Sequence, residues 1–277
     1  MDKRMVHRGS APRHVRPEGL EETGSFAQKL DDGVIIGRNA VLEALESGLS
    51  LDKLYIAKGE VDKTLGHIAT RARALGSVVV ESDRRKLDYL SQNQAHQGIV
   101  ALAAVKAYCQ VEDILENAKN RGETPLVIIC DEISDPHNLG AILRTAEGVG
   151  AHGVIIPKRR SAGITAIVQK TSAGAVNHIP VARVPNIVQT IKDLKEAGLW
   201  IYGAAMEGKQ DLWQTDFSGP MALLIGSEGE GLGRLIKEHC DFLVHIPMAG
   251  KVSSLNASVS AAVLLYEATR QRRQTKG

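Results

Sequence analysis

The sequence predicts an α/β protein in two parts: a small unit over residues 33–107 and, after a linker at 108–123, a larger unit over 124–277 with a mostly parallel sheet. From residue 125 onward, short apolar runs alternate with stretches of helical period, as strands joined by crossover helices do. The first run, Pro125-Leu-Val-Ile-Ile-Cys130, is apolar throughout, which suits a strand covered on both faces. A length of 277 residues is enough for each unit to bury its own core.

In chain order, residues 1–32 are polar, proline-bearing and without period, and predict a disordered basic arm. Whether that arm touches RNA or is a dispensable tail stays open. In the small unit, Arg38 to Glu46 forms an amphipathic helix with Val41, Leu42 and Leu45 on one face. Strands are expected at 53–57, 77–80 and 98–103, and helices at 65–75 and 85–90; Gly76 sits where a helix ends. This unit holds no catalytic cluster. The polar linker is expected to be partly helical. In the large unit, strands fall near 125–130, 153–156, 179–183, 199–204, 221–226 and 242–246. Its helices fall near 138–149, 164–173, 186–196, 232–239 and 256–270.

Hydrophobic residues make up 43% and charged residues 24%, the composition of a soluble globular chain. Aromatic residues are only 4%, so stacking platforms for single-stranded bases are scarce. The net charge of +2 is small, but basic residues crowd the first 16 positions, Lys158-Arg-Arg160, and Arg270 to Lys276, so a nucleic-acid partner is worth considering. Cys109, Cys130 and Cys240 lack paired or metal-ligand spacing, and no apolar segment has the length of a leader or a membrane span. A cytoplasmic protein without metal or membrane is expected.

Ligands of parallel sheets gather beyond the carboxyl ends of the strands, and polar segments follow three of them here. The first, Asp131 to Ala146, places Asn138 where a helix cap would stand. It also places Arg144 in an otherwise apolar helix, where a cation needs a ligand anion or a bridge to Asp131 or Glu132. The second, Leu224-Ile-Gly-Ser-Glu-Gly-Glu-Gly-Leu232, is a glycine turn that fits no phosphate loop. Its Glu228 and Glu230 would repel phosphate and suit a positive centre or ribose hydroxyls. The third, Ile246-Pro-Met-Ala-Gly-Lys-Val-Ser-Ser-Leu-Asn-Ala-Ser258, leads into the last helix, and Asn256 or Ser254 could simply cap it. His137 and His245 have no relay partner and are expected to be structural.

Together the three segments resemble the motifs of the SpoU (TrmH) class of RNA ribose methyltransferases in the SPOUT superfamily. They occur in order, over roughly residues 124–270. Gly37-Arg-Asn-Ala-Val-Leu-Glu-Ala-Leu45 and His96-Gln-Gly-Ile-Val100 resemble that family's substrate-binding domain, which is similar to ribosomal protein L30e. The subgroup it most resembles methylates a guanosine of bacterial 23S rRNA. The resemblance implies S-adenosylmethionine as donor, a homodimer whose sites draw on both subunits, and a C-terminal trefoil knot, an exception to the rule against threaded loops. It implies donor contacts at Gly226, Ile246 and Leu255. It implies a catalytic and substrate-orienting set of Asn138, Arg144, Glu228, Ser254 and Asn256, with Arg144 as base. A guanidinium holds its proton tightly, so binding the neighbouring phosphate and the developing alkoxide is the softer role for Arg144. The same chemistry on tRNA or another rRNA nucleotide, and a non-catalytic RNA-binding factor, are the alternatives. The latter should have lost Arg144 or Asn256, and both are present.

Overall fold

The computed structural model describes residues 33–59 and 62–275. The expected N-terminal arm and Lys276 lie outside the described residues. The small unit comprises β1 (Val34–Ile36), α1 (Arg38–Glu46), β2 (Leu51–Ala57), α2 (Lys63–Ala74), β3 (Val78–Ser82), α3 (Arg84–Leu90) and β4 (Ile99–Ala103). Its sheet runs β1-β4-β2-β3, with β2 and β3 parallel and β4 antiparallel to its neighbours. Asp62 caps α2 by accepting from the Leu65 amide at 2.8 Å. Gly76 follows that helix at φ +87°, a backbone state that favours glycine.

Between the units lies α4 (Val111–Asn120), closed at its start by a reciprocal Gln110–Asp113 capping pair. It is more than a tether. Ile114 and Ala118 are fully buried, and a Cβ on Gly153 would fall 2.6 Å from the Ile114 side chain, so the glycine makes room for it.

The large unit follows as β5 (Leu126–Cys130), α5 (Pro136–Gly148), β6 (Gly153–Pro157), α6 (Ala166–Thr171), β7 (Val181–Val184), α7 (Ile187–Glu196), β8 (Trp200–Ala204), β9 (Gln210–Asp211), β10 (Met221–Ile225), α8 (Arg234–His239), β11 (Phe242–His245) and α9 (Ala257–Thr275). The strands line up β7-β6-β5-β10-β8-β11-β9, and every pairing is parallel. Alternation along each strand splits the core in two. Leu126, Ile128, Cys130, Leu223 and Ile225 pack with Leu139 and Ile142 of α5 and Leu264 and Leu265 of α9. Val127, Ile129, Ala222 and Leu224 pack with Ile114 of α4, Ile187 and Ile191 of α7, and Ile236 of α8. Both faces are covered, as the apolar β5 run requires.

The units meet at a buried ion pair. Asp52, 1% exposed at the start of β2, accepts at Oδ1 from Arg183 Nη1 and from the Tyr108 hydroxyl, both at 2.7 Å. Arg183 also donates to the Gly76 carbonyl at 2.7 Å, and the Tyr108 oxygen accepts from the Ile164 amide at 3.0 Å. Burial pushes the Tyr108 phenol well above its usual range. A Cβ on Gly163 would lie 2.0 Å from Asp52 Oδ2, so glycine is what lets the loop after β6 close over this carboxylate. Beside it, Lys53 Nζ donates to the Ser161 carbonyl at 2.6 Å, and burial lowers its pKa.

Candidate active site

Three segments converge at the carboxyl edge of the large sheet. After β5, Asp135 accepts from the His137 amide at 2.9 Å and caps α5, with Pro136 in the first turn. This corrects the expectation that Asn138 is the cap. Asn138 lies inside the first turn, is buried, and donates from Nδ2 to Glu228 Oε1 at 2.7 Å. One residue pair further on, the space a Gly140 side chain would fill is taken by Thr171 of α6.

After β10, the turn closes on itself. The Ser227 amide donates to the Gly231 carbonyl at 3.1 Å, and the Gly231 amide donates back at 3.0 Å. Gly229 and Gly231 adopt φ +91° and +66°, which favour glycine. The turn folds so far over Gly226 that a Cβ there would sit 2.2 Å from the Gly231 carbonyl carbon. Glycine at 226 is therefore a packing requirement, and it leaves bare backbone as the cavity floor.

After β11, the extended 246–256 segment ends at Asn256, whose Oδ1 accepts from the Ser258 and Val259 amides at 2.9 and 3.3 Å and caps α9. Its Nδ2 faces the other way, donating to Asn138 Oδ1 at 3.0 Å and to Glu228 Oε1. One carboxamide thus caps a helix and ties all three segments together.

A cavity of about 300 Å³ opens beside this cluster, past the carboxyl ends of β8, β10 and β11. Gly226, Glu228, Ile246, Ser254 and Leu255 all line it. So do Met206 and Glu207, from a segment after β8 that went unrecognised in the sequence although it obeys the same strand-end rule. Lys237, also in the lining, pairs with Glu207 and holds its carboxyl below the usual range. His245 lines the cavity as well, and its buried Nδ1 has no hydrogen-bond partner.

Arg144 belongs to neither the cluster nor the cavity lining. It lies on the exposed side of α5 rather than in the apolar interior, and its side chain makes no hydrogen bond or ion pair among the described residues. The bridges considered for it do not form: Glu132 pairs with Arg160 at 2.9 Å, and Asp131 is buried, with its pKa raised by desolvation. Six residues of helix set Arg144 about 9 Å along α5 from Asn138 and about 120° around it. α5 packs between α6 and α9. Those two helices turn Ile167 (50% exposed), Val259 (46%) and Tyr266 (60%) outward.

The fold as a whole matches solved methyltransferases. The SpoU methyltransferase AviRb of Streptomyces viridochromogenes, in complex with the cofactor AdoMet, aligns over 89% of this chain and 93% of its own, with a TM-score of 0.56 and 28% identity. The AdoMet-bound rRNA methyltransferase of Sinorhizobium meliloti covers 91% and 96%, with a TM-score of 0.58 and 25% identity. The fold is therefore that of the SPOUT methyltransferases. Residues 125–266 match the SpoU rRNA methylase family, and residues 34–109 match the RNA 2′-O ribose methyltransferase substrate-binding family. A Bacillus subtilis protein named as a TrmH-family tRNA/rRNA methyltransferase, YacO, is 48% identical over 238 residues, 86% of this chain and 95% of its own. The chain belongs to the SpoU rRNA methylase family and is an RNA methyltransferase.

Proposed function

We propose that this protein transfers a methyl group from S-adenosylmethionine to the 2′-hydroxyl of a guanosine ribose in 23S rRNA, in the cytoplasm and as a homodimer. The observation that carries this reading is the Asn138–Glu228–Asn256 cluster beside the cavity, which Glu228 also lines. The cavity suits the donor. Its volume is at the lower end for small-molecule sites, backbone forms its floor at Gly226, and Ile246 and Leu255 supply apolar wall for a nucleoside. Carboxylates at its rim favour a cationic ligand. Bound there, S-adenosylmethionine supplies a methyl group activated by a positively charged sulfur.

The chain's own residues do the rest. The Asn138 and Asn256 amides hold Glu228 in one orientation, so its carboxylate is preorganised toward the ribose hydroxyls. Ser254, on the cavity wall, orients the reacting ribose. Arg144 binds the phosphate next to the 2′-hydroxyl and stabilises the negative charge that grows on that oxygen as it attacks. Its position apart from the cluster, the lack of a side-chain partner for it among the described residues, and the apolar side chains turned outward from α6 and α9 support a site completed by Arg144 from the second subunit. The 227–231 turn and the 246–256 segment are the crossing pieces of the trefoil knot this reading entails. Residues 33–107 act as the RNA-holding unit.

Two experiments test this. Ribose methylation mapped across rRNA and tRNA, with and without the gene, should lose one 23S guanosine methyl. Loss of a tRNA methyl would redirect the substrate, and an unchanged map would overturn the reading. In purified protein, Arg144→Ala should cut methyl transfer about 100-fold or more while leaving donor affinity unchanged by calorimetry. Undiminished turnover would remove Arg144 from the mechanism.

A further inference from the structure

Tyr89, at 76% exposure, is the most exposed large apolar side chain among the described residues, in a chain with only 3 Phe, 5 Tyr and 2 Trp. The Lys86 ammonium stands 5.4 Å from the ring centroid, on α3 beside Arg85. Lys86 also lies close enough to Lys53 to oppose its protonation. Lys53 in turn reaches across the seam between the units to the Ser161 carbonyl. Immediately before Ser161 runs Lys158-Arg-Arg160, just past β6. Arg85 and Lys86 of the small unit and the Lys158-Arg-Arg160 run of the large unit thus flank the half-buried Lys53–Ser161 contact from either side, a basic strip interrupted at Lys53 and carrying one bare aromatic ring. The side chains of Arg85, Lys158 and Arg159 make no hydrogen bond or ion pair among the described residues. Two of the neighbouring carboxylates are taken, Asp83 by Lys58 at 4.0 Å and Glu132 by Arg160 at 2.9 Å.

We propose that this strip binds a single-stranded segment of the RNA substrate, with one base stacked on Tyr89 and backbone phosphates on Arg85, Lys158 and Arg159. The proposal rests on the chain acting as an RNA methyltransferase and names the form of RNA it holds. An exposed ring accepts the face of any base, whereas a duplex keeps those faces stacked inside. Unpaired cations strung along a surface release counterions when they meet phosphates. The strip also leads toward the chemistry, because β6 neighbours β5, whose carboxyl end runs into Asn138. The Asp52–Arg183 pair fixes its two halves relative to each other, so little order has to be created on binding.

Two arms test the strip. In the first, kcat and KM are measured on rRNA from cells lacking the gene. Tyr89→Ala should lower kcat/KM about tenfold through KM, with donor affinity unchanged, and Tyr89→Phe should behave as wild type. In the second, a short labelled oligoribonucleotide is titrated at several salt concentrations. Arg159→Ala should weaken binding and flatten the log–log salt slope by about 0.7, and the same sequence as a duplex should bind less tightly. An unchanged KM in Tyr89→Ala, equal losses in the Ala and Phe variants, or a duplex bound as tightly as the single strand would overturn the proposal. A wild type that methylates no RNA would instead sink the functional reading, and the oligonucleotide arm would still decide the strip.

Discussion

At the scale of single residues, Asn256 shows how one side chain can cap a helix and join a polar cluster at once. Its oxygen caps α9 and its nitrogen binds Asn138 and Glu228. The two duties can be separated by substitution. Asn256→Asp keeps a cap oxygen at a helix start that favours negative charge, but it removes both donors and sets a second carboxylate against Glu228. Its stability by urea unfolding should stay within about 1 kcal/mol of wild type while methyl transfer is lost. Asn256→Ala should lose transfer and also about 1 kcal/mol of stability. An active Asn256→Asp enzyme would show that the donors do not matter. The cap was legible in the sequence, because an Asn stands before a run of helical period. The network was not, since its partners are 118 and 28 residues away and only the fold brings them together. For Arg144 the sequence motif was legible but its surroundings were not: an apolar helix stretch suggests burial, yet position 144 falls on the outer side of α5.

At the scale of elements, the large sheet was legible because its strands are apolar runs buried on both faces. β1 and β9 were not, being three and two residues long and too short to show a period. The last helix runs to Thr275, past the expected 270, because Arg272 turns back and donates to the Thr124, Pro125, Phe217 and Gly219 carbonyls. Burial among those carbonyls lowers the Arg272 guanidinium pKa to about 10. The glycine turn after β10 carries a sharper consequence. Gly226→Ala would drive a methyl group into the Gly231 backbone, which cannot rotate away as a side chain could. The turn must open, at a cost of about 1–3 kcal/mol, and the cavity floor moves with it. Donor affinity by calorimetry should therefore fall much further in Gly226→Ala than in Gly233→Ala, where an added Cβ meets nothing within 4 Å. Equal affinities in the two variants would mean that the floor is not part of the donor site.

At the scale of the whole molecule, most strands of two sheets could be read from the sequence but the contact that joins them could not, because nothing near Asp52 or Arg183 announces a partner 131 residues away. The proposed pairing of two chains would likewise be a property of assembled surfaces, and it makes the strictest test of the site. If Arg144 acts across a two-fold interface, each site takes Asn138, Glu228 and Asn256 from one subunit and Arg144 from the other. Arg144→Ala and Asn256→Ala proteins should each be inactive alone. Unfolded together and refolded, half of the dimers pair one of each. In such a dimer the Arg144→Ala subunit keeps its cluster and receives the intact Arg144 of its partner, while the opposite site carries both lesions. One working site in half of the dimers restores roughly a quarter of wild-type activity. If Arg144 instead served its own chain, every site in the mixture would carry one lesion and activity would stay at the level of the single variants. Tyr266→Glu, placed on the outward face of α9, adds an independent arm. It should shift the protein to monomer in sedimentation and abolish transfer, because a charge in an apolar interface goes unpaired. A monomeric variant that methylates RNA at the wild-type rate would refute the shared site.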